Sequence, residues 1–172
     1  MTLLLVAPLT MFSGQLLNSR IDVLLRYPAL LIVVPPLINN VGDLASILSA
    51  RLSTALHIGF LEPRITRHPV LTKNLLMVTL ISLIAFTFLG VVGSLSADAL
   101  GLRGLGLLKG AAIAIIAGVT VTLLMEVLGT VIAFSTYRYG WDPDNVTSPV
   151  VTTIGDILGI ATLFLVLGLF GV

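Results

Sequence analysis

Three acidic residues stand inside apolar runs of this chain: Asp43, Glu126 and Asp156. Asp156 lies in the closing stretch SPVVTTIGDILGIATLFLVLGLFGV. It is about nine residues from the polar start of that run, roughly 14 Å deep in a hydrocarbon core about 30 Å thick. An ionised carboxylate at such depth costs about 2.5–3.5 kcal/mol even on a lenient insertion scale, so each of the three needs a partner, a proton or a water-filled cavity.

Their helical neighbours favour a cavity. Steps of three and four residues from Asp43 join Asn39, Ser46, Ala50, Ser53 and His57 into one small, polar stripe, with Asn40 beside it. The same spacing puts Thr152 and Gly159 on the face of Asp156, next to Thr153, and Thr122 and Gly129 on the face of Glu126. Small and polar residues so spaced serve close helix packing or pore lining, and spacing does not separate the two. For Asp43 and Asp156 the alternative is a carboxylate bonded to a neighbouring helix's hydroxyl. Glu126 has fewer polar neighbours, and a helix–helix hydrogen bond explains it as well as a pathway does. His57, at a helix end beside Gly59, reads as an interfacial imidazole rather than a metal ligand. Arg51 reads as snorkelling or paired with an acid.

The donor types narrow the chemistry. Carboxylates, Asn, Thr and backbone carbonyls, with no Cys and only two His, suit a hard cation such as Mg²⁺ rather than Zn²⁺ or Cu²⁺. Mn²⁺ and Co²⁺ stay open. There is no Gly-rich phosphate loop and no Ser, His and Asp close enough together on one face to act as an intramembrane hydrolase would need, so nothing in the sequence signals an enzyme. The nine Lys and Arg fall mostly at the edges of apolar blocks, which speaks against a nucleic-acid partner.

The elements that must position these groups follow from composition. Of 172 residues 57% are hydrophobic and 10% charged, with mean hydropathy +1.13, so the chain reads as an all-α integral membrane protein. Five blocks are expected to span: Thr2 to Leu17, Tyr27 to His57, Leu75 to Leu95, Leu107 to Phe134 and Pro149 to Val172. The second, at roughly 47 Å, is too long for a straight span, and Pro35-Pro36 predicts a kink in it. The first lacks a basic leader region and is followed by further apolar segments, so it reads as a retained helix, not a signal peptide. Five spans put the termini on opposite sides. Arg64, Arg67, Lys73 and Arg138 oppose Arg20, Arg26, Arg103 and Lys109, and only Arg51 tips the orientation towards an inside N-terminus. The sequon Asn145-Val146-Thr147 is best explained by chance.

The segment GWDPDNVTSPVVTTIGDILGI, Gly140 to Ile160, resembles the loop and final helix of the MgtE-type magnesium transporters and their eukaryotic solute-carrier relatives. The matching residues are Asp142-Pro143, Pro149, Thr152-Thr153, Asp156 and Gly159. PPLINNVGDLASILSARLSTALHIG, Pro35 to Gly59, is similar to the family's second helix, and its ending is closest to the solute-carrier and archaeal-type branch. Gly42-Asp43 replaces the usual Gly-Asn there, adding negative charge. The resemblance implies one transmembrane domain over residues 1–172, without the cytoplasmic N-domain and CBS domains of many bacterial members.

It further implies a dimer whose second and fifth spans line a pore at the subunit interface. Asp156 would be the principal ion-site residue, Asp142 would meet a metal ion at the cytoplasmic mouth, and Asp43 would join the metal-facing set. Asn39, Asn40, Ser46, Thr152, Thr153, Gly159 and Glu126 would lie along the pathway. The implied activity is potential-driven passage of hydrated Mg²⁺ across the plasma membrane. Two alternatives stand beside it: a proton- or sodium-coupled divalent cation exchanger, and a non-transporting subunit that requires a sister chain. A homodimer is implied, and a heterodimer is left open.

Overall fold

The computed structural model describes residues 2–62, 64, 68–141 and 143–172, with backbone alone for 2–5 and 143–147. Its elements are helices: α1 Thr2–Asn18, α2 Ile21–Arg26, α3 Leu30–His57, α4 Pro69–Ala99, α5 Leu107–Arg138 and α6 Pro143–Leu169. Helices α3, α4, α5 and, from Ser148, α6 are long and apolar enough to cross a membrane. In lipid every backbone amide must be satisfied within the chain, and helix is the local solution for such runs. At 17 residues α1 is the shortest of the apolar helices.

Several boundaries differ from the sequence expectation. Helix α4 extends past the apolar block at both ends, from Pro69 to Ala99, α5 runs on to Arg138, and the short α2 was not foreseen. Hydropathy marks where lipid contact ends, whereas a helix ends where its carbonyls find caps. The carbonyl of Ala55 accepts from Phe60 N at 2.9 Å and that of Leu56 from Gly59 N at 3.2 Å, closing α3. This closure requires the left-handed backbone of Gly59, at φ 74°. Helices α4, α5 and α6 close in the same way at Gly101, Gly140 and Gly171. Pro35 and Pro36 lie inside α3, which continues through them.

Side-chain contacts give the directions. Ile38, Gly42 and Ser46 of α3 meet Gly159, Thr152 and Ser148 of α6, so the two run antiparallel. Gly90 meets Ala111 and Ala114 while Thr79 meets Glu126, so α4 and α5 are antiparallel as well. Helix α1 lies against α6 and runs the same way, with Ser13 near Asp156 and Arg20 near Leu165. Helix α3 packs against α4, α5 and α6. Its Leu37, Val41, Leu48, Leu52 and Leu56 are 0–1% exposed, packed with Val121, Met125, Val151 and Leu163. Lipid tails are as apolar as leucine, so this core is held by close packing rather than by escape from water. The opposite kind of surface runs along α4, where Leu76, Leu80, Ile84, Phe88, Val92 and Leu95 are exposed in a lipid-facing stripe. Exposed Tyr139 and Trp141 mark the interface at the end of α5.

Candidate functional site

The seam between α3 and α6 is lined by small residues. A Cβ on Gly42 would lie 3.6 Å from Thr152 Cγ2, one on Gly155 3.4 Å from Val41 Cγ1, and one on Gly159 3.8 Å from Ile38 Cγ1. Thr152 Oγ1 donates to the carbonyls of Ser148 (3.1 Å) and Pro149 (3.0 Å), and Thr153 Oγ1 donates to Pro149 O at 2.8 Å. Ser46 Oγ and Ser148 Oγ are 3.2 Å apart and tie the two helices at one end of the seam.

Where α1 joins α3 and α6 the packing opens into a cleft of ≈ 350 Å³, lined by Ser13, Gly14, Leu17, Val34, Pro35, Ile38, Asn39, Asp156 and Ile160. Asp156 is half-buried in its wall. No described residue donates a hydrogen bond to its carboxylate. It lies eight residues beyond Ser148, about 12 Å into the apolar part of α6 at the helical rise. The hydroxyl partner considered for Asp156 from sequence is therefore not found among the described residues.

Asn39 connects this cleft to the second carboxylate. Its Nδ2 donates to Asp43 Oδ2 at 2.9 Å, one helical turn along α3. Asn39 and Asp43 are both exposed at the middle of a 28-residue apolar helix, and Asn40 beside them is half-buried. A carboxylate and an amide cannot be left against hydrocarbon at that depth without a large cost, so this face of α3 calls for water or a polar neighbour.

Glu126 is placed elsewhere. It is 7% exposed, on the side of α5 that meets α4, and Thr79 Oγ1 donates to its Oε1 at 2.8 Å. It does not line the Asp156 cleft. Arg51 pairs with an amide and not with an acid: its Nε donates to Asn74 Oδ1 at 2.6 Å, and the Asn74 amide donates to Val70 O at 2.9 Å. Of the two readings of Arg51, snorkelling or an acidic partner, the acid's place is taken by the amide oxygen of Asn74 on the neighbouring helix, and the residue itself is exposed. His57 is exposed at the end of α3, with Nδ1 2.9 Å from Ser53 O and its ring edge-on to Tyr137. Asp142 lies outside the described residues.

Among the described residues no three of His, Cys, Asp and Glu come together. A single chain thus presents one carboxylate, one amide and one hydroxyl to its cleft, too few donors to strip a Mg²⁺ ion of its waters and replace them. Ser13 is the cleft residue that sequence reading passed over. The small pair Ser13-Gly14 amid the bulky residues of the first block was the available signal, but without a neighbour its direction had no meaning.

A family model described as a divalent cation transporter matches residues 34–166, about three quarters of the chain. Similar proteins include solute carrier family 41 member 3 of Rattus norvegicus, 28% identical over 145 residues, covering 82% of this chain and 31% of the relative. The Mus musculus member 3 is 27% identical over 165 residues, covering 92% and 33% respectively. Solute carrier family 41 member 2 of Homo sapiens is 26% identical over 164 residues, covering 90% and 28%. The chain spans about a third of the length of the curated relatives it matches. The matched region holds the apolar helices α4 and α5, most of α3 and α6, and the Asp156 motif. This multi-pass integral membrane protein belongs to the MgtE family of divalent cation transporters.

Proposed function

We propose that this chain conducts Mg²⁺ as one half of a homodimeric pore in the plasma membrane, with α1 as a fifth span and residues 1–172 acting as one domain. The observation that carries this reading is Asp156: a half-buried carboxylate deep in α6, facing a cleft and without a partner among the described residues. Helices α3 and α6 line the path. Asp156 is its main ion contact, and Asn39 and Asp43 form the adjoining polar wall, which a second copy would cover and hydrate.

Mg²⁺ gives up its waters reluctantly, so a path that accepts the hydrated ion avoids the dehydration barrier. A divalent ion gains roughly 4.6 kcal/mol per 100 mV, enough to drive uptake through a passive pore. Across a dimer axis two Asp156 carboxylates would repel each other, and the cation relieves that repulsion. Occupancy therefore also holds the dimer together.

Reconstitution in liposomes with an imposed potential tests this. Wild-type chain is expected to admit Mg²⁺, and Asp156→Ala to lose that flux. Undiminished flux in the variant would sink the reading. The small donor set of one chain favours a second reading, a subunit completed by a sister chain. A purified wild-type homodimer that carries no Mg²⁺ would select it.

A further inference from the structure

We propose that Ser13 of α1 belongs to the cation site, where it accepts a hydrogen bond from the water shell of a hydrated divalent ion held beside Asp156. The inference rests on the permeation reading above and extends it to a helix outside the α3–α6 pair.

Three polar side chains line the cleft: Ser13, Asn39 and Asp156. Ser13 Oγ, on a residue 7% exposed, gives its proton to Thr10 O at 2.7 Å, leaving lone pairs that no described residue uses. Asn39 gives one amide hydrogen to Asp43 Oδ2, which leaves its amide oxygen and its second N–H without a partner among the described residues. The Asp156 carboxylate accepts from no described residue. The open space reaches the α1 backbone, since a Cβ on Gly14 would meet no atom within 4 Å.

A cleft whose polar groups, on three helices, are mainly acceptors fits an object that presents donors. A hydrated divalent cation is such an object, because its waters turn oxygen to the metal and hydrogen outward. With metal–oxygen distances of about 2.1 Å and a water radius of about 1.4 Å, the six-water Mg²⁺ ion has a radius of about 3.5 Å and a volume of roughly 180 Å³. The cleft, at ≈ 350 Å³, has room for it. An anion would meet the Asp156 carboxylate and the Ser13 lone pairs with one Asn39 N–H to offset them, and an apolar occupant would leave these groups unpaired.

Hexaamminecobalt(III) tests the idea. The inert complex is close to the hydrated ion in size, offers only N–H donors and cannot lose its ligands. In proteoliposomes of the full chain it is expected to block wild-type Mg²⁺ uptake. Ser13→Ala and Ser13→Val should raise both its half-blocking concentration and the half-saturating Mg²⁺ concentration by about five- to tenfold, the worth of one hydrogen bond. Ser13→Thr, which keeps the hydroxyl, should stay within about twofold of wild type. Should Ser13→Ala fail to fold, the Thr and Val variants still match in shape and differ by the hydroxyl.

If Val and Thr behave alike while Asp156→Asn abolishes uptake, Ser13 is not in the site and the permeation reading stands. If the complex leaves Asp156-dependent uptake untouched, the site does not read the water shell and the proposal falls. Uptake indifferent to Asp156 would overturn the permeation reading itself.

Discussion

Glu126 and Asp156 carry the same functional group well inside neighbouring spans, and their surroundings differ in every respect that matters. Glu126 is 7% exposed and accepts a 2.8 Å hydrogen bond from Thr79. Farther along the same interface α4 and α5 are in contact too close for an added methyl. A Cβ on Gly90 would come within 2.7 Å of the Ala111 backbone, Gly118 lies against the Phe86 ring, and Gly110 lies against Ser94. Asp156 is half-buried, has no donor among the described residues and faces open space. The glycines of its seam with α3 would place a Cβ at ordinary contact distance, 3.4–3.8 Å. A satisfied carboxylate in a closed interface joins helices. An unsatisfied one at the edge of a cleft is available to a ligand. Both lie in apolar helices, and burial, packing and partner separate them.

The largest effect that would sharpen this contrast is at Asp156. Asp156→Asn is expected to cut Mg²⁺ flux by about ten- to a hundredfold, the loss of a charged contact to the ion's shell. Its thermal unfolding in Mg²⁺-free detergent should be unchanged or occur at higher temperature, because an unpartnered carboxylate has gone. A variant that unfolds earlier would show that Asp156 has a structural partner after all.

Next in size is the packing difference. Gly118→Ala should destabilise the protein by about 1–3 kcal/mol, since the methyl drives into the Phe86 ring. Gly155→Ala should cost less than about 1 kcal/mol because its neighbour is already at contact distance. Equal losses in a thermal unfolding series would erase the distinction between the two interfaces.

The smallest effect is expected at Glu126. Glu126→Gln keeps an oxygen for Thr79 and should leave flux near wild type, while Glu126→Leu should cost about 1 kcal/mol of stability through the lost hydrogen bond. Flux that disappears in Glu126→Gln with stability intact would return Glu126 to the ion pathway and break the comparison.

Much of this was legible in the residues. Hydropathy located five apolar blocks, four of which are helices long and apolar enough to cross a membrane, because lipid leaves helix as the local solution, and helical period put Thr152 and Gly159 on the Asp156 face because those relations lie within two turns. The same period joined Asn39 to Asp43, which the structure realises as a hydrogen bond. The end of α3 at His57 fell where the apolar block ends, whereas α4 and α5 run past their blocks because capping, not apolarity, sets their ends, as at Gly101 and Gly140. Arg51, read as snorkelling or paired with an acid, meets Asn74, 23 residues away on the next helix.

By itself, then, the sequence determined what depends on near neighbours: the membrane environment, the spans, the motif around Asp156 and the kind of cation its donors suit. Tertiary structure decided which carboxylate is satisfied and which is free. Thr79 lies 47 positions from Glu126, and Ser13 reaches the Asp156 cleft from the other end of the chain. No periodicity links residues so far apart, and only the packing of α1 beside α6 and of α4 against α5 brings them within reach.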